Sequence, residues 1–291
     1  MTHRRAILLM VIITLMWSIA GVVTRHLESA RGFEVTFWRS LFTALSLLVY
    51  FVWQHGRNTL AQFKGGPVLW LSGLMWGAMF TCFMMALTMT TVANVLITMS
   101  LAPLMAALLG RFMLGLQVPL RTWMSIFVAG AAIAWMYSSG LSSDPRHLAG
   151  SVVALGVPLA AAINWNLIRR SGATVDLLPA LLIGALLSCA VAGPLSWPWH
   201  SSAHDLGLLA LLGLFQLAIP CILAVRVARQ LPAPEMALLA LLEIVFGIAL
   251  VWWGAGEKPS HQVMVGGAVV LATLAVNEWL GLRSRQLIHQ P

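Results

Sequence analysis

The chain reads as an all-α membrane protein: ten transmembrane helices arranged as two inverted five-helix repeats. Three observations predict this. Of its 291 residues 60% are hydrophobic and 9% charged, against roughly 25% charged in soluble proteins. Too few polar groups exist to clothe a globule, so the solvent is mostly lipid. Apolar runs long enough to cross a ~30 Å hydrocarbon core recur ten times between short polar turns. A break at Ser138–Arg146, SSGLSSDPR, divides them five and five, and an odd number per half makes the halves enter the bilayer in opposite senses.

The first span, Ala6–Thr24, follows His3-Arg4-Arg5 and runs on into further spans without an Ala-x-Ala pattern, which marks a retained helix rather than a signal peptide. Spans two to five are Val35–Trp53, Val68–Thr88, Thr91–Gly110 and Leu120–Ser138. The second half gives Leu148–Ile168, Val175–Trp197, Leu206–Val227, Ala233–Trp253 and Val263–Leu282, so the repeats are expected at 1–143 and 144–291. Sequence likeness between the halves is short: Leu101-Ala-Pro-Leu-Met, with Leu114-Gly115 after it, can be laid on Leu242-Glu-Ile-Val-Phe, with Ala255-Gly256 after it.

A net charge of +8 would suggest nucleic acid in a soluble chain, but in a membrane protein each basic residue is first assigned to a side. With the N-terminus inside, the inner segments hold Arg4, Arg5, Arg57, Lys64, Arg111, Arg121, Arg169, Arg170, Arg226, Arg229, Arg283 and Arg285. The outer segments hold only Arg25, Arg31, Arg146 and Lys258. Positive charge concentrates inside, which predicts cytoplasmic termini in a multi-pass plasma (inner) membrane protein, with the bilayer and not nucleic acid as its partner.

Tryptophans sort by depth. Trp53, Trp70, Trp123, Trp197, Trp199, Trp252, Trp253 and Trp279 lie near span ends, where indole rings suit the headgroup boundary. Trp17, Trp76 and Trp135 lie deeper, where an indole N–H needs a partner or a polar cavity. Trp17 sits in the small and polar cluster Trp17-Ser18-Ile-Ala-Gly21, which would let a solute approach the backbone.

Mid-span polar residues and prolines mark a candidate pathway: Asn94, Thr98, Ser100 and Pro103 in the fourth span, Pro158, Asn164 and Trp165 in the sixth, Gln216 and Pro220 in the eighth. A proline frees a carbonyl that a solute or water can take up, or simply kinks the helix. In the third span Trp76, Phe80 and Met84 share a face, as a packing stripe or as a wall with Met79 and Met85. Two charges lie within spans. Arg39 is close enough to the outer boundary to snorkel, or to pair with Glu34 or Glu28. Glu243 lies ~15 Å into the ninth span and is too short to snorkel, so it must be protonated, paired or solvated by a cavity. Either it serves a solute or it ties its helix to a neighbour.

Ten spans, Phe37-Trp38-Arg39, Leu101-Ala-Pro-Leu, and Leu-Leu-Glu243-Ile followed by Gly256-Glu257-Lys-Pro-Ser resemble the EamA-type carriers of the drug/metabolite transporter superfamily. The whole chain looks closest to YddG-type amino acid exporters. It departs from the family pattern at Glu243-Ile244, where Glu-Pro is usual, and at Gly115-Leu116, where the family has Gly-Glu. The resemblance implies a central cavity lined by helices one to four and six to nine, with helices five and ten outside. It also implies alternating access and export of small metabolites, amino acids including aromatic ones in particular. The expected substrate-binding residues are Trp17, Trp76, Phe80, Asn94, Thr98, Ser100, Asn164, Trp165 and Glu243, with no catalytic residue, metal or cofactor.

An intramembrane enzyme would need an HExxH helix, paired aspartates or a Ser/His pair, yet every histidine lies outside the spans. A channel would show a ring of charges or a repeated filter loop. A carrier for drugs or organic cations is the remaining rival, because one buried carboxylate among aromatics also suits a cation. Cys82, Cys189 and Cys221 fall in apolar runs without CxxC spacing and read as buried thiols. Small-residue faces at Gly73/Gly77 and Gly130/Ala134 suit intrachain packing or dimerisation alike, leaving monomer and homodimer both open.

Overall fold

Nine helices among the described residues are long and apolar enough to cross a membrane, and Leu120–Met136 is a shorter apolar helix. The computed structural model describes residues 3–138, 145–171, 177–227, 230–231 and 233–288; the expected repeat boundary at 143/144 lies outside them. Regular structure in the described residues is entirely helical.

The first three spans are single helices, α1 (His3–Arg25), α2 (Phe33–His55) and α3 (Gly66–Met89). The fourth is broken into α4 (Val92–Met99) and α5 (Ala102–Leu114). Pro103 favours this break: it stands in the first turn of α5, where its missing N–H costs no helical hydrogen bond. The fifth to seventh are α6 (Leu120–Ser138), α7 (Pro145–Ser171) and α8 (Leu177–Leu195). The eighth runs as α9 (Ala203–Leu211), a π-helical stretch Leu212–Ala218, and α10 (Ile219–Val227). Pro220, just past that stretch, withholds one N–H from the ladder and favours the wider turn.

The ninth span, expected to be continuous, is broken too, into α11 (Ala233–Ala240) and α12 (Leu242–Ala255), before α13 (His261–Ile288) forms the tenth. Both breaks are tightened by three-residue hydrogen bonds, Leu101 N–H to Thr98 C=O and Leu241 N–H to Leu238 C=O. Both half-helices end on a left-handed glycine, Gly115 at φ 66° and Gly256 at φ 68°, a conformation that costs Gly alone no Cβ clash. In each case the next N–H, of Leu116 or Glu257, reaches back six residues to Gly110 or Val251.

Packing follows small residues. α3 lies along α7 and α8, α1 along α12, α2 along α8, and α6 mainly against α13. Gly73 and Gly77 let α3 approach α8, where a Cβ on Gly184 would stand 2.5 Å from Trp76 Cβ and 2.9 Å from Gly77 N. That face is therefore intrachain packing, whereas Gly130 faces open space. Ser188 on α8 joins α2 and α3 through 3.0 Å bonds with Ser40 and Thr81, and Thr122 ties α6 to Asn277 of α13. The three cysteines are free thiols.

One end of the bundle is drawn together by three carboxylates. Glu34 accepts from the His200 and Ser201 amides and from the Ser201 hydroxyl. Asp205 accepts from the amides of Glu28, Ser29 and Ala30 and from Ser29 Oγ. Glu257 takes Arg25 Nε at 2.6 Å and the Val92 amide at 2.8 Å, while Arg25 also donates to the Leu87 and Thr90 carbonyls. These bonds gather the loops that follow spans one, three, seven and nine, as strict up-and-down alternation of the spans requires.

Candidate functional site

Arg39 is where the structure corrects the sequence. It neither snorkels nor pairs with Glu34 or Glu28: it is 1% exposed, and the carboxylates of Glu34 and Glu28 are engaged with the 200–202 segment. Its Nε and Nη2 both donate to Gln216 Oε1, at 3.2 and 2.9 Å, and its Cζ lies 5.8 Å from the Phe80 ring centre and 5.7 Å from that of Phe83. Nη1 is buried without a hydrogen-bond partner.

Magnitudes make this arrangement unusual. A buried ion carries a desolvation penalty of several kcal/mol. Hydrogen bonds to a charged group return about 1.5–3 kcal/mol, and a desolvated cation–π contact about 2 kcal/mol. A carboxylate would compensate far better, and none among the described residues forms a salt bridge with Arg39.

Gln216 is held with its oxygen toward Arg39 because its Nε2 donates to the Trp17 carbonyl at 3.3 Å. It occupies the π-helical stretch, a deviation that recurs at functional sites. Next along α10, Cys221 lies beside the Trp17 side chain and within electrostatic reach of both Arg39 and Glu243. Glu243 stands in the first turn of α12, 8% exposed. Among the described residues its carboxylate makes neither a hydrogen bond nor an ion pair. The broken span favours a negative charge there, since the free N–H groups of a helix start carry the positive end of its dipole.

The nine expected site residues therefore do not all meet. Trp17, Trp76 and Phe80 do: the Trp76 and Phe80 ring centres are 5.6 Å apart, Phe80 faces Arg39, and Trp17 holds Gln216. Glu243 is linked to them only through its electrostatic reach to Cys221, which lies beside Trp17. Asn94 lies in the first turn of α4 and donates to Thr90 Oγ1 at 3.3 Å, which places it in the Arg25–Glu257 network at one end of the bundle. Thr98 and Ser100 bond back to the Asn94 and Ile97 carbonyls at 2.6 Å, sealing the turn before the break. Asn164 is buried, with Oδ1 lacking a donor, as is the Trp76 indole N–H its acceptor. Trp165 is 53% exposed.

Arg39, Gln216, Phe83 and Cys221 were outside the expected set. Gln216 and Arg39 each stand out in the sequence as polar groups within apolar runs, but their contact spans 177 residues.

A bundle of apolar helices with two interrupted spans, burying a cation and a carboxylate that form no ion pair among the described residues, is built as a multi-pass membrane protein. Comparison with known proteins shows what it resembles. The model of the EamA-like transporter family matches residues 4–138. The pseudopaline exporter CntI of Pseudomonas aeruginosa, from strains UCBPP-PA14 and PAO1, is 22% identical over 280 residues, covering 94% of this chain and 96% of the relative in each case. A solved crystal structure superposes with a TM-score of 0.65 at 16% identity, over 97% of this chain and 99% of that one, a likeness of fold. The likeness is thus to the EamA-like transporter family, over the first half of the chain in the family model and at 22% identity in the exporters.

Proposed function

We propose that the protein exports amino acids, aromatic ones included, and related small metabolites across the plasma membrane by alternating access between two inverted five-helix halves. The observation that carries this is Glu243, a buried carboxylate without a partner among the described residues, at the start of a half-helix within an apolar span. Interrupted helices at matching places in two halves are where carriers of inverted-repeat design hold their solutes. Here the correspondence holds to within one residue: Leu101 and Leu241 stand at the two breaks and precede their left-handed glycines by fourteen and fifteen residues. Mutual packing of α6 and α13 agrees with fifth and tenth helices outside a central pathway. The relatives that export pseudopaline lend weight to a metabolite as cargo.

Glu243 also favours a second reading, efflux of organic cations or drugs. The two share a test on purified protein in liposomes with an imposed pH gradient. Glu243→Gln preserves shape and most hydrogen bonding but cannot ionise. The expected outcome is a well-folded variant that loses transport of every substrate the wild type accepts. Transport at the wild-type rate with unchanged pH-gradient dependence would make the carboxylate an architectural group and remove the main support for this reading.

A further inference from the structure

Among the described residues Arg39 is the one fully buried cation, and the reading of Glu243 as a solute-facing group leaves it unexplained. A helix-joining arginine in lipid ordinarily finds a carboxylate or several carbonyls. This one has a single neutral oxygen, that of Gln216, serving two of its nitrogens, while two aromatic rings flank it and Nη1 is left over.

Resting on the transporter reading above, we propose that Arg39 and Gln216 form a carboxylate-binding subsite, and that the substrate is a zwitterion whose ammonium group is met by Glu243.

Three features of the chain fit that assignment. The guanidinium is a planar fork with N–H groups left over for a carboxylate oxygen. Gln216 is fixed from behind by the Trp17 carbonyl, so the fork is oriented before any ligand arrives. Glu243 and Arg39 are both within electrostatic reach of Cys221, and α1 packs against both α12, which carries Glu243, and the π-helical stretch, which carries Gln216. A lipophilic cation would gain from Glu243 and be repelled by Arg39; a zwitterion gains from both. The subsite thus separates the two substrate classes that Glu243 alone leaves open. Arg39 is sealed in this conformer, so the carboxylate meets it when α2 and the π-helical stretch of the eighth span part. That stretch has the looser hydrogen bonding such a movement needs.

The test compares three probes on purified protein: phenylalanine, phenethylamine, which lacks the carboxylate, and 3-phenylpropanoate, which lacks the ammonium. Equilibrium binding is measured for wild type, Arg39→Lys and Gln216→Glu, alongside the ligand-free melting temperature of each. Wild type is expected to bind phenylalanine about ten-fold or more tighter than either truncated probe. Arg39→Lys keeps the charge but not the fork and should lose about ten-fold or more in phenylalanine affinity. Gln216→Glu gives the guanidinium a resident carboxylate, so it should melt no lower than wild type and yet lose phenylalanine binding. This variant keeps the test decisive if the lysine variant folds poorly. Wild-type binding of phenethylamine as tight as that of phenylalanine overturns the subsite and leaves a cation carrier standing. Unchanged phenylalanine affinity in Gln216→Glu overturns it with the amino acid reading intact. Failure of wild type to bind any of the three removes the amino acid reading and the subsite together.

Discussion

Single side chains in this protein do work that their neighbours in sequence do not reveal. Asp205 is fully buried and collects three backbone amides and one hydroxyl from the 28–30 segment. Each buried donor left without an acceptor costs about 1–3 kcal/mol, so Asp205→Ala is expected to destabilise the purified protein by about 3 kcal/mol or more, read as a lowered melting temperature in detergent. Asp205→Asn, which keeps one oxygen, should fall between. An alanine variant that melts with wild type would mean that this loop is held elsewhere. At this scale the sequence was legible where depth decides: Glu243 is too short to leave an apolar run, and it is buried. Arg39 was not, because its length allows it either to snorkel or to stay. Its choice depends on Gln216 and on Phe80 and Phe83, which only the tertiary fold brings to it.

Helices show the same division between what the chain announces and what packing decides. Pro103 coincides with the break in the fourth span, where its missing N–H weakens the ladder, whereas Pro158 and Pro194 sit inside the continuous helices α7 and α8. No proline marks the ninth, where Ile244 follows Glu243, and its break at Leu241 was invisible to hydropathy, which treats half-helices and whole ones alike. Glycines divide likewise: the spacing Gly73/Gly77 permits close packing without naming the partner, and the structure supplies α8. Ala at Gly184 should clash with backbone atoms of α3 that cannot yield, at the upper end of the roughly 1–3 kcal/mol for overpacking, which outweighs the gain of about 1 kcal/mol in helix propensity. Gly130→Ala meets nothing within 4 Å and receives that gain alone. Melting temperatures are expected to move in opposite directions, down for Gly184→Ala and slightly up for Gly130→Ala; equal shifts would contradict the packing account.

Over the whole molecule, ten spans and their alternation follow from hydropathy and short turns, because a bilayer fixes the length of every crossing. The two ends nevertheless differ in chemistry. Glu257, one residue past its left-handed glycine, joins α1, α3 and α4 through Arg25 and the Val92 amide; the corresponding Leu116 brings no charge to its end. The bias of Lys and Arg predicts that the Glu257 end lies outside, a matter of side that alternation alone leaves open. Accessibility of single cysteines decides it. Lys258 is exposed beside Glu257, and Asn58 is exposed on the short 3-10 helix Gly56–Phe63 between α2 and α3, at the opposite end of the alternation. In intact cells a membrane-impermeant maleimide is expected to label Lys258→Cys and to reach Asn58→Cys only after permeabilisation, the native thiols lying within spans. The reverse pattern would turn the molecule over and put its termini outside. Labelling of both from outside would break the alternation, and with it the opposed entry of the two halves on which the proposed exchange of access between the two sides depends.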